Sequence, residues 1–368
     1  MRLSGPRLIA YSAPSLVTSV AALPMALFVP AFYAGDLGVP LASVGVAIAL
    51  SRLLDVVTDP LIGSLSDRLR IPGGRRKPCM MIGTPLFLFS LWKIFVPGPE
   101  VSAAYLLFWS AALYLGFTLI DLPHKAWGAE ISTDYDERTR ITSWREAIAT
   151  AGQVALLAGL VWLAAAGIEA ASTQLHFIAI AVVFILPLLL GLCVFCVQER
   201  PPEYYVHPHR NIWAGLAIVA RNPAFLRMLG CVLLFVSGVA VQGTLHRLVL
   251  ADVMLDEGRF ALMILLENVG TLVAVPAWLA VSVRLGKHRA LMGAALWLAV
   301  WSLPLVFLRE GDANLLTAII VIRGASFASI LFIANSIAAD VVYYVDGVKM
   351  VSNDGLSLHN YTGVGKYD

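Results

Sequence analysis

Ten stretches of mostly apolar residues, each about 20 residues or longer, follow one another along the chain. A helix needs about 20 such residues to cross a bilayer, so each stretch can span once. Only 14% of the 368 residues are charged, and the mean hydropathy is +0.80. Soluble domains have about 25% charged residues. The sequence therefore predicts an all-α polytopic membrane protein, with spans over residues 8–33, 41–65, 79–96, 103–127, 147–166, 175–197, 228–250, 260–283, 290–308 and 315–337.

Basic residues concentrate in alternate connections, and this fixes the expected orientation. The loop after the second span carries Arg68, Arg70, Arg75, Arg76 and Lys77. Because Lys and Arg favour cytoplasmic loops, this loop and the N-terminus are predicted to be cytoplasmic, in a cell membrane. The connection 130–145 is also predicted to be a cytoplasmic loop. No basic patch is interleaved with aromatic residues, so no nucleic-acid partner is expected; the partners should be the bilayer and a small solute, with the chain a monomer.

The longest polar connection, 198–227, follows six spans and predicts a linker between two halves. GRRKP after span 2 and GKHR after span 8 each follow a span that carries an acid, which indicates a repeat of parallel halves. The expected domains are a six-helix bundle over 1–197, a linker over 198–227, a four-span bundle over 228–342 and a polar tail over 343–368.

The second span carries charge where a span should be apolar. Asp55 and Asp59 are four residues apart and Arg52 is three before Asp55, so all three share one helix face. An ionised aspartate near the bilayer centre costs about 2.5–3.5 kcal/mol on insertion scales, and such residues are usually functional. Oxygen ligands suit a hard cation such as Na⁺, so Asp55 and Asp59 predict a metal-cation site. The two acids could instead share one proton, or Arg52 and Asp55 could form a structural ion pair.

Pro60 follows Asp59 and removes a backbone donor, which frees carbonyls beside the two acids. In the fourth span, Thr118 and Asp121 are three apart and share a face. Neither an HExxH motif nor a comparable cluster of His and acids occurs in the sequence, so the chain is not expected to be an enzyme or to hold a cofactor. Cys193 and Cys196 have CxxC spacing without a second pair and are expected to pack as small apolar residues.

These motifs resemble a known family. RLLDVVTDPLIGSLSDR with GRRKP, and TLIDLPHKAWGAEISTDYDERTRITSWRE, are similar to segments of the glycoside–pentoside–hexuronide:cation symporters, the melibiose permease branch of the major facilitator superfamily. YAGDLGVPLASVG, QERPPEYY, RNPAFLRML, LGKHRAL and AADVV fit as well, so the resemblance covers about residues 8–342. It implies twelve spans in two six-helix bundles, alternating access, and Na⁺, Li⁺ or H⁺ driving the uptake of a sugar.

The resemblance also implies residue roles. Asp55 and Asp59 match the family's coupling-cation carboxylates, with Thr118 as a nearby cation ligand. Asp121 resembles its sugar-binding aspartate and Arg145 a substrate-contacting arginine; Arg52 is expected beside the substrate. The loop with Asp67, Arg68, Arg75 and Arg76 resembles a latch that stabilises one access state, although simple positive-inside anchoring would place the same charges there.

Three departures from the family pattern are visible. The first span has no acid between Ser15 and Leu23, the family's sugar-stacking aromatic is replaced around His124 and Lys125, and no run after Asp340 can span. The missing spans suggest a shortened chain, so a non-transporting remnant is an alternative. Another is a transporter of an amphipathic, lipid-like solute.

Two smaller expectations concern other polar residues. His124 and Lys125 are expected to be a loop-facing, satisfied pair rather than a proton relay. Arg323 needs a partner at membrane depth, and Glu267 is the candidate, although Glu267 could instead join the central site.

Overall fold

The computed structural model describes residues 3–68, 74–132, 134–168, 170–199, 223–254 and 260–344, and helices dominate these ranges. The first half contains α1 Gly5–Ser12, α2 Pro14–Thr18, α3 Ala22–Ala31, α4 Leu41–Arg68, α5 Lys77–Phe95, α6 Ala103–Ile131, α7 Tyr135–Ala165 and α8 Ala171–Cys196. The second half contains α9 Pro223–Leu248, α10 Phe260–Leu285, α11 Lys287–Ser302, α12 Ala313–Gly324 and α13 Phe327–Tyr344.

Every predicted span coincides with helix, and the all-α fold class is confirmed. Nine stretches of the described residues are long and apolar enough to cross a membrane, with α1–α3 and α12–α13 each forming one of them. The remaining helix, α9, is 26 residues long, but its described apolar part is limited to Leu229–Val239. The linker centre, residues 200–222, and the polar tail after residue 344 lie outside the described residues.

The first span contains Pro14, Pro24 and Pro30, and it is divided into shorter helices. It divides at Ala13, before Pro14, and again around residues 19–21, and it ends in a π-helical turn over Phe32–Asp36. Proline removes an N–H donor and clashes with the preceding turn, so the helix bends where its carbonyls find other partners. At the second division, which contains no proline, the carbonyl of Leu16 accepts from the Ser19 hydroxyl at 3.1 Å.

The predicted cytoplasmic loop at 130–145 is wrong. α6 continues to Ile131 and α7 begins at Tyr135, so the connection is only a few residues long. The Asp134 carboxylate accepts the backbone N–H groups of Asp136 and Glu137, each at 2.9 Å, which satisfies two donors of the first turn. This cap starts the helix twelve residues before the apolar run that marks it in the sequence, and it places Arg138, Arg140 and Arg145 on α7.

Each half has its own apolar core. α5 packs against α6 and α8, α6 against α4, and buried residues such as Phe87, Leu113 and Leu186 fill the centre. In the second half, α10, α11, α12 and α13 pack around Met263, Ile320 and Phe332. α7 contacts both α10 and α13, so this helix carries the contact between the halves.

One close helix crossing gives a stability prediction. A Cβ at Gly152 of α7 would lie 2.0 Å from the carbonyl oxygen of Leu16, whereas one at Gly159 would meet nothing within 4 Å. We expect Gly152→Ala to lower the free energy of unfolding by about 1–3 kcal/mol, because α2 and α7 must separate. Gly159→Ala, on the same helix, should leave it unchanged or raise it by up to about 1 kcal/mol. Thermal unfolding in detergent compares them, and equal shifts would contradict the close packing.

Candidate functional site

The acids of α4 meet the polar face of α6. Asp55 and Asp59 are one turn apart and half-buried. The Thr118 hydroxyl of α6 donates to Oδ1 of Asp59 at 2.9 Å. This hydrogen bond joins the two helices and brings three of the predicted cation-site residues together, two carboxylates and a hydroxyl.

Arg52 completes the charged face of α4, but it does not pair with Asp55. Its Nε donates to the Tyr114 hydroxyl at 3.2 Å, and its guanidinium lies 5.7 Å from the centre of that ring. The alternative reading of a structural Arg52–Asp55 ion pair is therefore not realised. Neither acid forms an ion pair within the described residues, so both carboxylates are available to a cation.

Asp121 lies one turn from Thr118 and has a partner on its own helix. Lys125 Nζ is 2.6 Å from Oδ2 of Asp121, with the lysine side chain 46% exposed and the aspartate 21% exposed. The pair therefore reaches an open surface, and a polar solute could compete for either group.

The expectation of a loop-facing His124 is wrong. His124 is buried within α6, where its Nε2 lies 2.8 Å from the Tyr11 carbonyl oxygen, while the Tyr11 hydroxyl donates to the His124 carbonyl at 2.7 Å. Gly128 leaves room for the Tyr11 ring, since a Cβ there would lie 2.2 Å from its hydroxyl. These two hydrogen bonds hold α1 against α6 beside Asp121.

Arg145 lies on α7, buried, and its Nη2 pairs with Glu146 Oε1 at 2.8 Å. It does not form an ion pair with Asp121. The same Glu146 oxygen lies 3.5 Å from Nδ2 of Asn335 on α13. The predicted substrate arginine is thus held at the contact between the two halves.

A second contact joins the halves on the same helices. The Thr139 and Ser336 hydroxyls are 3.0 Å apart, and both residues are almost fully buried. Thr139 lies one turn from the start of α7, at the end predicted to be cytoplasmic. The halves are therefore packed together at that end of the molecule.

The arginines after the second span bond to Glu130 and Glu199 within the first half, and this cluster is called the latch below; its role in stabilising an access state stays a prediction. Arg75 and Arg76 reach the Glu130 carboxylate at the end of α6, at 2.5 and 2.6 Å. Arg76 also donates to the Ser66 hydroxyl at the end of α4. The side chains of Asp67 and Arg68 lie outside the described residues, so their predicted part in this loop stays a prediction.

Glu199, after α8, closes the latch. Its carboxylate accepts the backbone N–H groups of Arg75, Arg76 and Lys77 at 2.5, 3.0 and 2.7 Å. A carboxylate at a helix N-terminus satisfies unpaired donors and complements the dipole. Neither Glu130 nor Glu199 was identified from the sequence. The available signal was an acid at the inner end of a span, close to an arginine-rich loop.

The latch gives a second stability prediction. Glu130→Gln leaves Arg75 and Arg76 without the carboxylate that they share, in a region where these three side chains are at most 18% exposed. We expect the free energy of unfolding to fall by about 2–4 kcal/mol, since removing one partner of a buried pair is costly. Glu100→Gln, at an exposed loop, should change it by less than about 0.5 kcal/mol. Similar unfolding midpoints for both variants in detergent would contradict the latch.

The expected pair of Glu267 with Arg323 is also wrong. Arg323 lies 3.3 Å from Nε2 of His246 and 3.4 Å from the Ser302 hydroxyl instead. Within the ranges that the structure describes, no group of three or more His, Cys, Asp or Glu side chains could hold a metal ion. A cation at Asp55 and Asp59 would therefore need hydroxyl, carbonyl or water oxygens as its other ligands.

Comparison with known proteins supplies the family context. The model of the family described as MFS/sugar transport protein matches residues 10–349. A glucuronide carrier protein homolog of Escherichia coli is 26% identical over 337 residues, 85% of this chain and 72% of that protein. The inner membrane symporter YicJ of Escherichia coli is 29% identical over 181 residues, which span 47% of this chain and only 39% of the symporter. The sphingosine-1-phosphate transporter MFSD2B of Mus musculus is 23% identical over 365 residues, 93% of this chain and 73% of that protein.

Solved structures agree on the fold. A bacterial homologue of the iron transporter ferroportin, in an outward-facing state, superposes with a TM-score of 0.66 at 16% identity, over 92% of this chain and 84% of that one. The transporter FucP in the outward conformation gives 0.65 at 12% identity, over 92% and 91%. The transporter fold of the major facilitator superfamily is thereby confirmed.

Proposed function

Because this chain belongs to the MFS/sugar transport protein family, we propose that it is a cation-coupled secondary symporter for a sugar or sugar-like solute. The hydrogen bond from Thr118 to Asp59 carries the proposal, since it joins the helix that bears the unpaired acids to the helix that bears Asp121. Relatives named as a glucuronide carrier homolog and a symporter support the same activity.

The coupling cation, Na⁺ or H⁺, binds at Asp55 and Asp59, with Thr118 beside them. Two carboxylates one turn apart repel each other until a positive charge arrives between them. A bound cation removes this repulsion, and the α4–α6 contact can then tighten around it.

The solute binds at Asp121 and Arg145, with Arg52 and Lys125 at the edge of the site. Sugar hydroxyls can accept from Lys125 or Arg52 and donate to Asp121, which are the groups that the open surface presents. Arg145, held by Glu146 on α7, connects the solute with the contact between the halves.

Cation and solute act on one another through α6. Thr118 and Asp121 lie one turn apart, so a cation that pulls on Thr118 also positions Asp121. Coupling free energy is reciprocal, and each ligand should therefore raise the affinity for the other. The loaded protein then exchanges between access states by movement of one half against the other.

Uptake into proteoliposomes tests the proposal. We expect a labelled glucuronide to accumulate when a Na⁺ or H⁺ gradient is imposed, and not when both gradients are collapsed. Asp121→Asn should lower the apparent solute affinity by about tenfold or more, because hydrogen bonds to charged groups contribute about 1.5–3 kcal/mol. Accumulation that ignores both gradients would refute the coupling.

An amphipathic, lipid-like solute is the second candidate, favoured by the likeness to a sphingosine-1-phosphate transporter. The same vesicles decide between them. Gradient-dependent uptake of a labelled lysolipid, with none of the glucuronide or of neutral glycosides, would replace the sugar by a lipid.

A further inference from the structure

Among the described residues of the second half, three buried ionisable side chains that the cation and solute sites do not use lie close to one another. Glu267 lies on α10, Arg323 at the end of α12 and His246 near the end of α9, and each is at most 6% exposed. Ionisable groups at membrane depth are costly and are usually functional. The arrangement of their hydrogen bonds shows what this cluster can do.

Arg323 is turned towards the histidine. Its Nη2 is 3.3 Å from Nε2 of His246, and its Nη1 is 3.4 Å from the Ser302 hydroxyl. A guanidinium can only donate, so Nε2 of His246 must accept. The imidazole is therefore neutral, with its proton on Nδ1.

The Oε1 atom of Glu267 has no comparable hydrogen bond. Oε1 of Glu267 is buried without a hydrogen-bond partner among the described residues, and so is Nε of Arg323. The glutamate side chain lies against the backbone at Gly324, where a Cβ would be 3.4 Å from Oε1. The acid is thus next to the residue that follows Arg323, yet the two charged groups do not pair.

An ionised carboxylate in this position would be desolvated and unpaired, which costs several kcal/mol. A carboxylic acid would avoid most of this cost, and Arg323 would then be free to bond His246, as observed. We propose that Glu267 is a proton-binding site of the second half, protonated in this arrangement, and that loss of its proton draws Arg323 from His246 to the carboxylate.

The proton transfer is balanced within the cluster. The O–H bond of Glu267 breaks, and the proton passes to water or to His246, whose Nε2 lone pair is released when Arg323 leaves it. The products are a carboxylate paired with a guanidinium and, in the second case, an imidazolium. The total charge of the cluster is then unchanged.

Among the described side chains, the other charged groups on the helices around Glu267 do not compete. On α7, Arg145 and Glu146 pair with each other. Lys287 and Arg289 begin α11 at the far end of α10, which is roughly 25–30 Å from Glu267 along the helix. The side chains of Arg247 on α9 and Asp340 on α13 lie outside the described residues. Arg323 and His246 are therefore the partners through which a charge on Glu267 acts.

Infrared difference spectroscopy tests the proton site without requiring transport. Protein with ¹³C-carboxyl glutamate, reconstituted in nanodiscs, should show the carbonyl band of an un-ionised glutamic acid at neutral pH, where exposed glutamates are ionised. We expect Glu267→Gln to abolish this band. Glu310→Gln, at an exposed loop in the same half, should leave it intact.

A wild-type spectrum without the band of an un-ionised glutamic acid at neutral pH overturns the proposal, and this test holds even when the variant does not fold. A band that survives Glu267→Gln overturns the proposal as well. In transport, Glu267→Gln should change the dependence of uptake on pH, and it should keep any stimulation by a Na⁺ gradient, because the coupling cation binds at Asp55 and Asp59. A failure of solute uptake in the wild type would count against the symporter, but it would leave the infrared result standing.

Discussion

Asp59→Cys is expected to reduce uptake to the level seen without a cation gradient, while solute exchange across the membrane continues. Asp59 is the acid that accepts from Thr118, so its loss removes a cation ligand and the hydrogen bond between α4 and α6 together. The cation affinity should fall by roughly 100-fold, about 2.7 kcal/mol. Uptake and counterflow in the same proteoliposomes, with Na⁺ and pH gradients imposed separately, measure the two effects.

The control for Asp59→Cys is Asp36→Asn, an exposed acid after the first span, which should retain normal coupling. Thr118→Val should weaken cation stimulation without abolishing it, since both carboxylates remain. Full cation-dependent uptake by Asp59→Cys would show that the acids of α4 do not hold the coupling ion.

The second large effect is expected from a cross-link between the halves. Thr139 and Ser336 touch through their hydroxyls at 3.0 Å, and α7 carries the contact between the two halves. A disulfide joins Cβ atoms about 3.5–4.5 Å apart, so two side chains that touch directly are suitable positions for one. In a background without the exposed Cys196 and Cys231, Thr139→Cys with Ser336→Cys should lose nearly all uptake on oxidation and regain it with a reductant.

Each single variant, Thr139→Cys or Ser336→Cys, should transport equally well under oxidising and reducing conditions. If the fully cross-linked protein transports as fast as the protein treated with reductant, this contact does not open during the cycle. The proposed movement of the two halves would then need another hinge.

The helices themselves were largely predictable, because each span is a long apolar run that must satisfy its own backbone in lipid. Helix ends were not. α7 begins far before its apolar run, because Asp134 caps a turn that reads as polar loop. A hydropathy pattern indicates whether a segment faces lipid or water. A helix cap depends instead on hydrogen bonds to the backbone of the first turn.

The acids of the proposed cation site stand out in the sequence for the same reason, since acids in an apolar helix need an explanation. The hydrogen-bond and ion-pair partners of these charged residues were harder to predict. Arg52 bonds Tyr114 rather than Asp55, and Asp121 pairs with Lys125. The spacing of residues along a helix predicts which side chains share a face. The neighbouring helix decides which of these side chains form pairs.

By itself, the sequence determined that the chain crosses a membrane many times and that Asp55, Asp59 and Asp121 carry charge into it, because hydropathy and charge are properties of residues alone. Only the tertiary structure decided that Thr118 meets Asp59, that Glu199 caps α5, and that Glu267 is left unpaired beside Arg323. These contacts join residues far apart in the chain, and helix packing decides which of them meet.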